Sequence, residues 1–339
     1  MRRKLPKILI TGGCGFIGSN FIRHLIANYP GYRIINLDKL TYAGNPDNLK
    51  SISAHPNYSF VKGDICNARI VEKVIAGCDI AVNFAAETHV DRSIIGCDDF
   101  LKTNIDGVNQ LLNAARKSGL KKFIQISTDE VYGSRLKGEF KETDKLNPRN
   151  PYSASKAAGD LLALSYYNTY GLEVIITRSS NNFGPYQYPE KVIPLFITNA
   201  REGKPLPLYG KGKNIRDWIF VEDNCRAIGL VMHKGLAGET YNIGAGGHKA
   251  NIELARDILG LTGKPLSLIR KVEDRPGHDF RYALDCAKIR RLGWAPKYNF
   301  IRALEITVEW YSQNSSWWRK IKSRKEYRAY QSSWYRKRG

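Results

Sequence analysis

The chain has 339 residues, 42% of them hydrophobic and 25% charged, the balance of a soluble globular protein with room for one large domain or two. No apolar run approaches the roughly eighteen residues of a membrane helix, so no membrane partner is expected. The cysteines (Cys14, Cys66, Cys78, Cys97, Cys225 and Cys286) are scattered without paired spacing, which argues against disulfides and a metal site and fits a reducing, cytoplasmic setting.

The net charge of +21 is high, and nine Lys or Arg between residues 319 and 338 stand against Glu326 alone. They are interleaved with Trp317, Trp318, Tyr327, Tyr330, Trp334 and Tyr335, a pattern that could serve nucleic acid or an acidic surface. Charge alone shows only electrostatic capacity, so a solvated surface is preferred and nucleic acid is not expected as a partner. The basic start Met1-Arg2-Arg3-Lys4 is followed only by Ile8-Leu9-Ile10 before a glycine cluster, too short for a signal core and better read as a first strand.

That strand, Lys7 to Thr11, leads into Gly12-Gly13-Cys14-Gly15-Phe16-Ile17-Gly18, and Asn20 to Ala27 then reads as a helix. A second strand, Arg33 to Leu37, closes on Asp38, twenty residues past Gly18. Strand, glycine turn, helix and distal acid together form a dinucleotide fingerprint: the glycines let the backbone approach a pyrophosphate, and the acid accepts from ribose hydroxyls. An acid there repels a 2′-phosphate, which favours NAD over NADP.

A third strand, Tyr58 to Lys62, runs into Gly63-Asp64-Ile65. Asp64 could accept from an adenine amine or cap the next helix. A fourth, Ile80 to Phe84, ends in Ala85-Ala86-Glu87, where small residues let a dinucleotide lie close. In Thr88-His89-Val90-Asp91-Arg92-Ser93, His89 reads as a core histidine and Asp91 and Arg92 as a local pair or cap. The next helix, about 98 to 118, carries Val108, Leu111, Leu112 and Ala115 at helical spacing.

The apolar run Phe123 to Ile126 then leads to Ser127-Thr128-Asp129-Glu130-Val131-Tyr132-Gly133, so two adjacent carboxylates stand at a strand end. Ligands of open α/β sheets bind just beyond such ends. After a polar loop, Pro151 suits a helix start, and Tyr152 and Lys156 share one face of that helix. An ammonium beside a phenol favours the phenolate, which makes a base able to take an alcohol proton. Residues 186–216 hold several prolines and glycines and read as loop-rich. Asp217 to Gly235 reads as strand then helix, and Thr240 to Ile243 as a returning strand.

These stretches, with Asp38 to Asn45, Ser180-Asn181-Asn182-Phe183-Gly184-Pro185 and Asp274-Arg275-Pro276-Gly277-His278-Asp279, resemble the extended short-chain dehydrogenase/reductases, and within them the dTDP-glucose 4,6-dehydratases, over about residues 5 to 312. The implied fold is α/β: a doubly wound parallel Rossmann sheet with a smaller α/β substrate domain. Residues 1–184 with a returning segment 217–243 would bind NAD, 185–216 and 244–317 would bind the nucleotide sugar, and 318–339 would be a basic C-terminal tail, which matches none of the family's motifs. A homodimer is expected, its face formed by helices 98 to 118 and 152 to 170. The loop between Gly133 and Pro151, where a lid over the sugar would lie, is shorter than in many relatives.

By this resemblance Tyr152 would deprotonate the sugar 4-hydroxyl as hydride passes to NAD, with Lys156 tuning it and holding the cofactor ribose. The 4-ketone would acidify C5, Glu130 would remove that proton, and Asp129 would protonate the departing 6-hydroxyl. Thr128 would hydrogen-bond the 4-oxygen. Asp129 must then start neutral and Glu130 ionised, and the residues alone leave open which of the two has the raised pKa. The cofactor set would be Gly12, Gly15, Phe16, Ile17, Gly18, Asp38, Lys39, Leu40, Thr41, Asp64, Ile65, Ala85, Ala86, Glu87, Thr103, Tyr152, Lys156 and Asn182. The substrate set would be Thr88, Thr128, Asn181, Lys191, Val192, Pro207, Leu208, Tyr209, Arg216, Asn251, Asp274, Arg275 and His278. Arg216 and Arg275 suit a diphosphate, although Arg216 could instead pair with Asp217. A UDP-, GDP- or CDP-linked sugar, an epimerase or decarboxylase activity, and a non-enzymatic module acting through the basic tail remain as alternatives.

Overall fold

The computed structural model describes residues 5–274 and 276–335, the side chain of Tyr335 aside. Its strands are β1 Lys7–Thr11, β2 Arg33–Asp38, β3 Tyr58–Lys62, β4 Ile80–Asn83, β5 Lys122–Thr128, β6 Val174–Ser179, β7 Asn181–Phe183, β8 Leu206–Tyr209, β9 Ile215–Phe220, β10 Thr240–Ile243, β11 His248–Ala250 and β12 Ile269–Val272. Seven of them form a parallel sheet in the order β10-β6-β5-β4-β1-β2-β3. The order reverses between β1 and β4, and a crevice opens beyond their carboxyl ends.

Parallel strands are covered on both faces, which is why β1 is an unbroken apolar run. Ile8 and Ile10 point into one core with Phe21, Leu25, Ile124 and Ile228, while Leu9 points into the other with Phe123, Leu111 and Ala163. The covering helices have clear signals. Asn150 accepts from Ser153 N at 2.9 Å, Pro151 takes the first position of helix Pro151–Tyr170, and Gly171 ends it at φ 68°. The helix expected over 98 to 118 forms as Asp98–Leu101, a π-helical turn Lys102–Gly107, and Val108–Ser118.

A third core lies beside the sheet, built from Phe183, Phe196, Leu208, Trp218, Leu254, Ile258, Leu304, Tyr311 and Trp318. It contains the β11-β9-β7 sheet and the β12-β8 pair. Two expectations change here. The stretch read as loop-rich holds a ten-residue helix, Val192–Arg201, in which Pro194 sits in the first turn, where a missing N–H costs no hydrogen bond. Strand β9, grouped by its sequence with the returning segment, pairs with β7 and β11, so only helix Val221–Lys234 and β10 rejoin the large sheet.

Residues 315–335 depart from the expected tail. They form helices Ser315–Lys322 and Lys325–Tyr335, with Trp318, Ile321, Tyr327, Tyr330 and Trp334 all buried. The aromatic residues recur at helical spacing and pack inward, leaving most of the basic residues outside. No helix among the described residues is long and apolar enough to cross a membrane.

Candidate active site

The turn after β1 is shaped by what it leaves out. Gly12 has φ 68°, and a Cβ there would stand 2.6 Å from the Ala85 backbone nitrogen. A Cβ on Gly18 would stand 2.5 Å from the Gly12 carbonyl oxygen. Helix Phe16–Asn28 begins directly above, so its N-terminus and bare backbone form an anion cradle.

At the end of β2, Asp38 accepts from Cys14 N and Leu40 N, both at 2.8 Å. Burial raises its pKa, and those two amides oppose the rise. Asp64 pairs with Lys39 at 2.8 Å and accepts from Cys66 N at 2.9 Å. The helix-cap alternative for Asp64 falls to Asn67, which accepts from Ile70 N at 3.2 Å.

Cradle and carboxylates line a cavity of about 320 Å³ at the carboxyl edge of the sheet. Every expected cofactor residue borders it except Leu40, whose amide serves Asp38. Thr88, Thr128, Asn181, Lys191 and Val192 of the expected substrate set border it too, with Asp129 and Glu130. The other described members lie outside its walls. Pro207, Leu208 and Tyr209 form β8, Arg216 is on β9, Asn251 opens helix Asn251–Thr262, and His278 meets Asp274 at 2.6 Å. Arg275 lies outside the described residues.

The reactive end is set by β5. The strand stops at Thr128 and the chain tightens into a 3-10 turn, Asp129–Tyr132. Thr128 donates to Asp129 Oδ1 at 3.1 Å, and Asp129 Oδ2 is buried without a partner among the described residues. Burial first, and Glu130 second, hold the Asp129 carboxyl well above the usual carboxylate range. Burial thus favours the neutral form of Asp129. Burial and then Glu130 raise the Tyr152 phenol, while the Thr88 and Thr128 hydroxyls pull it down.

Lys156 corrects a simple expectation. Its ammonium donates to the Ile126 carbonyl at 2.6 Å, and burial lowers its pKa to about 8. Spacing puts Tyr152 and Lys156 on one face, but the ammonium is anchored on β5. Arg216 donates to the Ile215 and Asp279 carbonyls at 2.8 and 2.9 Å and lies 4.3 Å from the Tyr282 ring centre. Its neighbour Asp217 accepts from Gly247 N at 3.0 Å on the other face of the strand.

His89 is buried, as expected, and starts helix Val90–Ile95 at φ 92°. Asp91 and Arg92 do not pair locally. Asp91 accepts from the Tyr209 hydroxyl at 2.8 Å, and Arg92 binds the buried Glu190 at 2.8 Å. Arg92 also lies 3.8 Å from the ring centre of Tyr42 and 4.3 Å from that of Tyr330. Tyr42, Tyr188 and Glu190 line the cavity without having been singled out beforehand. Tyr42 lay inside a recognisable stretch, but the Glu190 partner is 98 residues from Arg92 and has no local signal.

Comparison with known proteins decides among the chemistries this pocket allows. Residues 9–307 match the family model described as GDP-mannose 4,6 dehydratase. A dTDP-glucose 4,6-dehydratase of Streptomyces niveus is 52% identical, over 94% of this chain and 96% of its own. The chain belongs to the dTDP-glucose 4,6-dehydratase family. The structure of a family member from Streptomyces venezuelae with NAD bound superposes with a TM-score of 0.92 at 49% identity, covering 93% of this chain and 99% of that one. The low-salt glycan biosynthesis protein of Haloferax volcanii is 51% identical, over 90% of this chain and 98% of its own.

Proposed function

We propose that this member of the family converts dTDP-glucose to dTDP-4-keto-6-deoxyglucose and water, as an NAD-dependent hydro-lyase acting in the cytoplasm as a homodimer. The observation that carries this reading is a dinucleotide cradle whose reactive end holds adjacent carboxyl groups, with burial pushing that of Asp129 upward beside Glu130. NAD fits the cradle because the backbone of Gly12 and Gly18 lies where side chains would collide. Gly12, Gly15 and Gly18 would take the pyrophosphate, Asp38 the adenosine ribose, and Tyr152 and Lys156 the nicotinamide half. When bound, NAD would accept hydride from sugar C4 and give it back at C6, so that the cofactor ends the turnover oxidised as it began.

The chain's own groups do the rest. Tyr152 takes the proton of the 4-hydroxyl, and Thr128 hydrogen-bonds the 4-oxygen. Lys156, fixed on the Ile126 carbonyl at the cavity wall, would hold the cofactor ribose. With a ketone at C4 the C5 hydrogen becomes acidic, and Glu130 removes it. Asp129, whose neutral form burial favours, delivers its proton to the 6-oxygen as that oxygen leaves as water, and Glu130 returns its proton to C5 as hydride would reach C6.

The nucleotide end would be held by Thr88, Asn181, Lys191 and Val192 in the cavity and by Pro207 to Tyr209, Arg216, Asn251, Asp274 and His278 beyond it. The cofactor half would be residues 1–184 with 221–243, and the sugar half 185–220 with 244–317. Exposed Leu101, Leu161 and Tyr170, on the helices over 98 to 118 and 151 to 170, support a dimer face there. Six free thiols support a reducing compartment.

The test is incubation with dTDP-, UDP-, GDP- and CDP-glucose, with mass spectrometry following loss of water. The dTDP sugar is expected to react fastest. The family model's description makes a GDP-linked sugar the second reading, and preferred turnover of that sugar would overturn the first.

A further inference from the structure

Helix Lys325–Tyr335 was expected to be solvated tail, yet its buried side chains meet the segments assigned to the nucleotide sugar. Tyr327 donates to the Pro189 carbonyl at 2.9 Å, two residues before Lys191. Tyr330 lies under Arg92, with 4.3 Å from the guanidinium carbon to the ring centre, and meets His89 edge-on at 5.6 Å. Trp334, stacked on Tyr330 at 6.4 Å, donates its indole N–H to the Tyr209 hydroxyl at 2.6 Å.

The Tyr209 hydroxyl in turn donates to Asp91 at 2.8 Å, and the Tyr209 ring meets His278 edge-on at 5.8 Å. One aromatic residue at the C-terminus thus holds the polar end of a β8 side chain against the loop that begins at Thr88. Two hydrogen bonds of opposite sense fix both the position and the rotation of the Tyr209 hydroxyl. Indole is suited to this because it is a donor only and cannot compete for the proton that goes to Asp91.

From this geometry we infer that Trp334 is a positioning residue for nucleotide-sugar binding, acting through Tyr209 and Asp91. The inference rests on the reading that this region takes dTDP-glucose. It assigns the C-terminal helix to the substrate half of the site and gives it no part in holding NAD.

The test uses the full-length enzyme. Trp334→Phe keeps the apolar bulk and removes the donor, so the fold is retained where a truncation before Lys325 would uncover Tyr188 and Arg92. The expected result is a rise of about five- to tenfold in KM for dTDP-glucose and in the dissociation constant for dTDP measured by calorimetry, the range set by loss of one hydrogen bond. The value of kcat stays within about twofold, since no proton-transfer group is touched. NAD content of the purified protein is unchanged. Tyr209→Phe removes the hydroxyl through which Trp334 acts, so adding Trp334→Phe to it produces no further weakening.

Unchanged dTDP affinity in Trp334→Phe would overturn the inference, as would full additivity of the two substitutions. A lower melting temperature with normal dTDP affinity would reduce Trp334 to a packing residue. If the wild type dehydrates no nucleotide glucose, the functional reading fails instead, and the calorimetric comparison still decides the role of Trp334.

Discussion

Replacing Asp129 by Asn separates what burial of this carboxyl group costs the fold from what it gives the reaction. The side chain is 2% exposed, accepts one hydrogen bond from Thr128 and has a second oxygen without a partner among the described residues. Its folded pKa lies well above the ordinary value, through burial first and Glu130 second. In the unfolded chain it ionises near pH ~3.9. Between those two values the native state holds a proton that the unfolded state has lost, so stability falls as pH rises, by about 1.4 kcal/mol per pH unit. Below the unfolded pKa the penalty vanishes. The amide is nearly isosteric and neutral at every pH, so Asp129→Asn should melt above the wild type at pH 7, with the gap closing as pH falls toward about 4. It has no proton to donate to a leaving oxygen, and dehydration should slow by about 10²- to 10⁴-fold. Scanning calorimetry across pH and mass-detected turnover measure the two effects. Water release at the wild-type rate, or a stability gap independent of pH, would refute the reasoning.

Glu130→Gln should leave oxidised 4-keto-hexose and reduced nicotinamide on the enzyme, seen by near-ultraviolet absorbance after quenching, with water release slowed by about 10²-fold or more. Gly12→Ala puts a Cβ into the Ala85 backbone at a positive φ. It should cost roughly 1–3 kcal/mol of strain and yield protein purified without NAD, checked by denaturant melts and cofactor extraction. Arg92→Met leaves Glu190, whose side chain is 1% exposed, buried without its ion pair. A loss of about 3–5 kcal/mol in urea unfolding is expected, and a loss under about 1 kcal/mol would mean that Arg92 does not sustain that charge.

Much of this was legible in the chain because local physics determines it. Ile8-Leu9-Ile10 can only be a strand covered on both sides, Gly12 marks a backbone turn closed to side chains, and Asp129 follows an apolar run at the point where strands deliver ligand groups. Partners were not legible. Asp91 and Arg92 look like a local pair, yet their partners lie 118 and 98 residues away, chosen by how two cores meet. Lys156 has the right spacing from Tyr152, but which acceptor takes its ammonium depends on the approach of β5. The C-terminal stretch reads as charge because across residues 319–338 nine basic residues outnumber four aromatic ones. Its buried face becomes visible only where Tyr209 and Arg92 are present to receive it.

The π-helical turn Lys102–Gly107 gives the cavity floor an unusual dependence on chain length. Thr103 borders the cavity, and Asn104 clasps the backbone of Glu87 at 2.9 and 3.0 Å while its amide reaches Ser155 at 2.9 Å. A widened turn carries one residue more than a regular helix needs. Deleting one residue there would restore ideal helical hydrogen bonding and, in the same stroke, rotate the preceding turn by about 100° relative to helix Val108–Ser118. The clasp on Glu87 would then point elsewhere, so this segment tolerates many substitutions more readily than one lost codon.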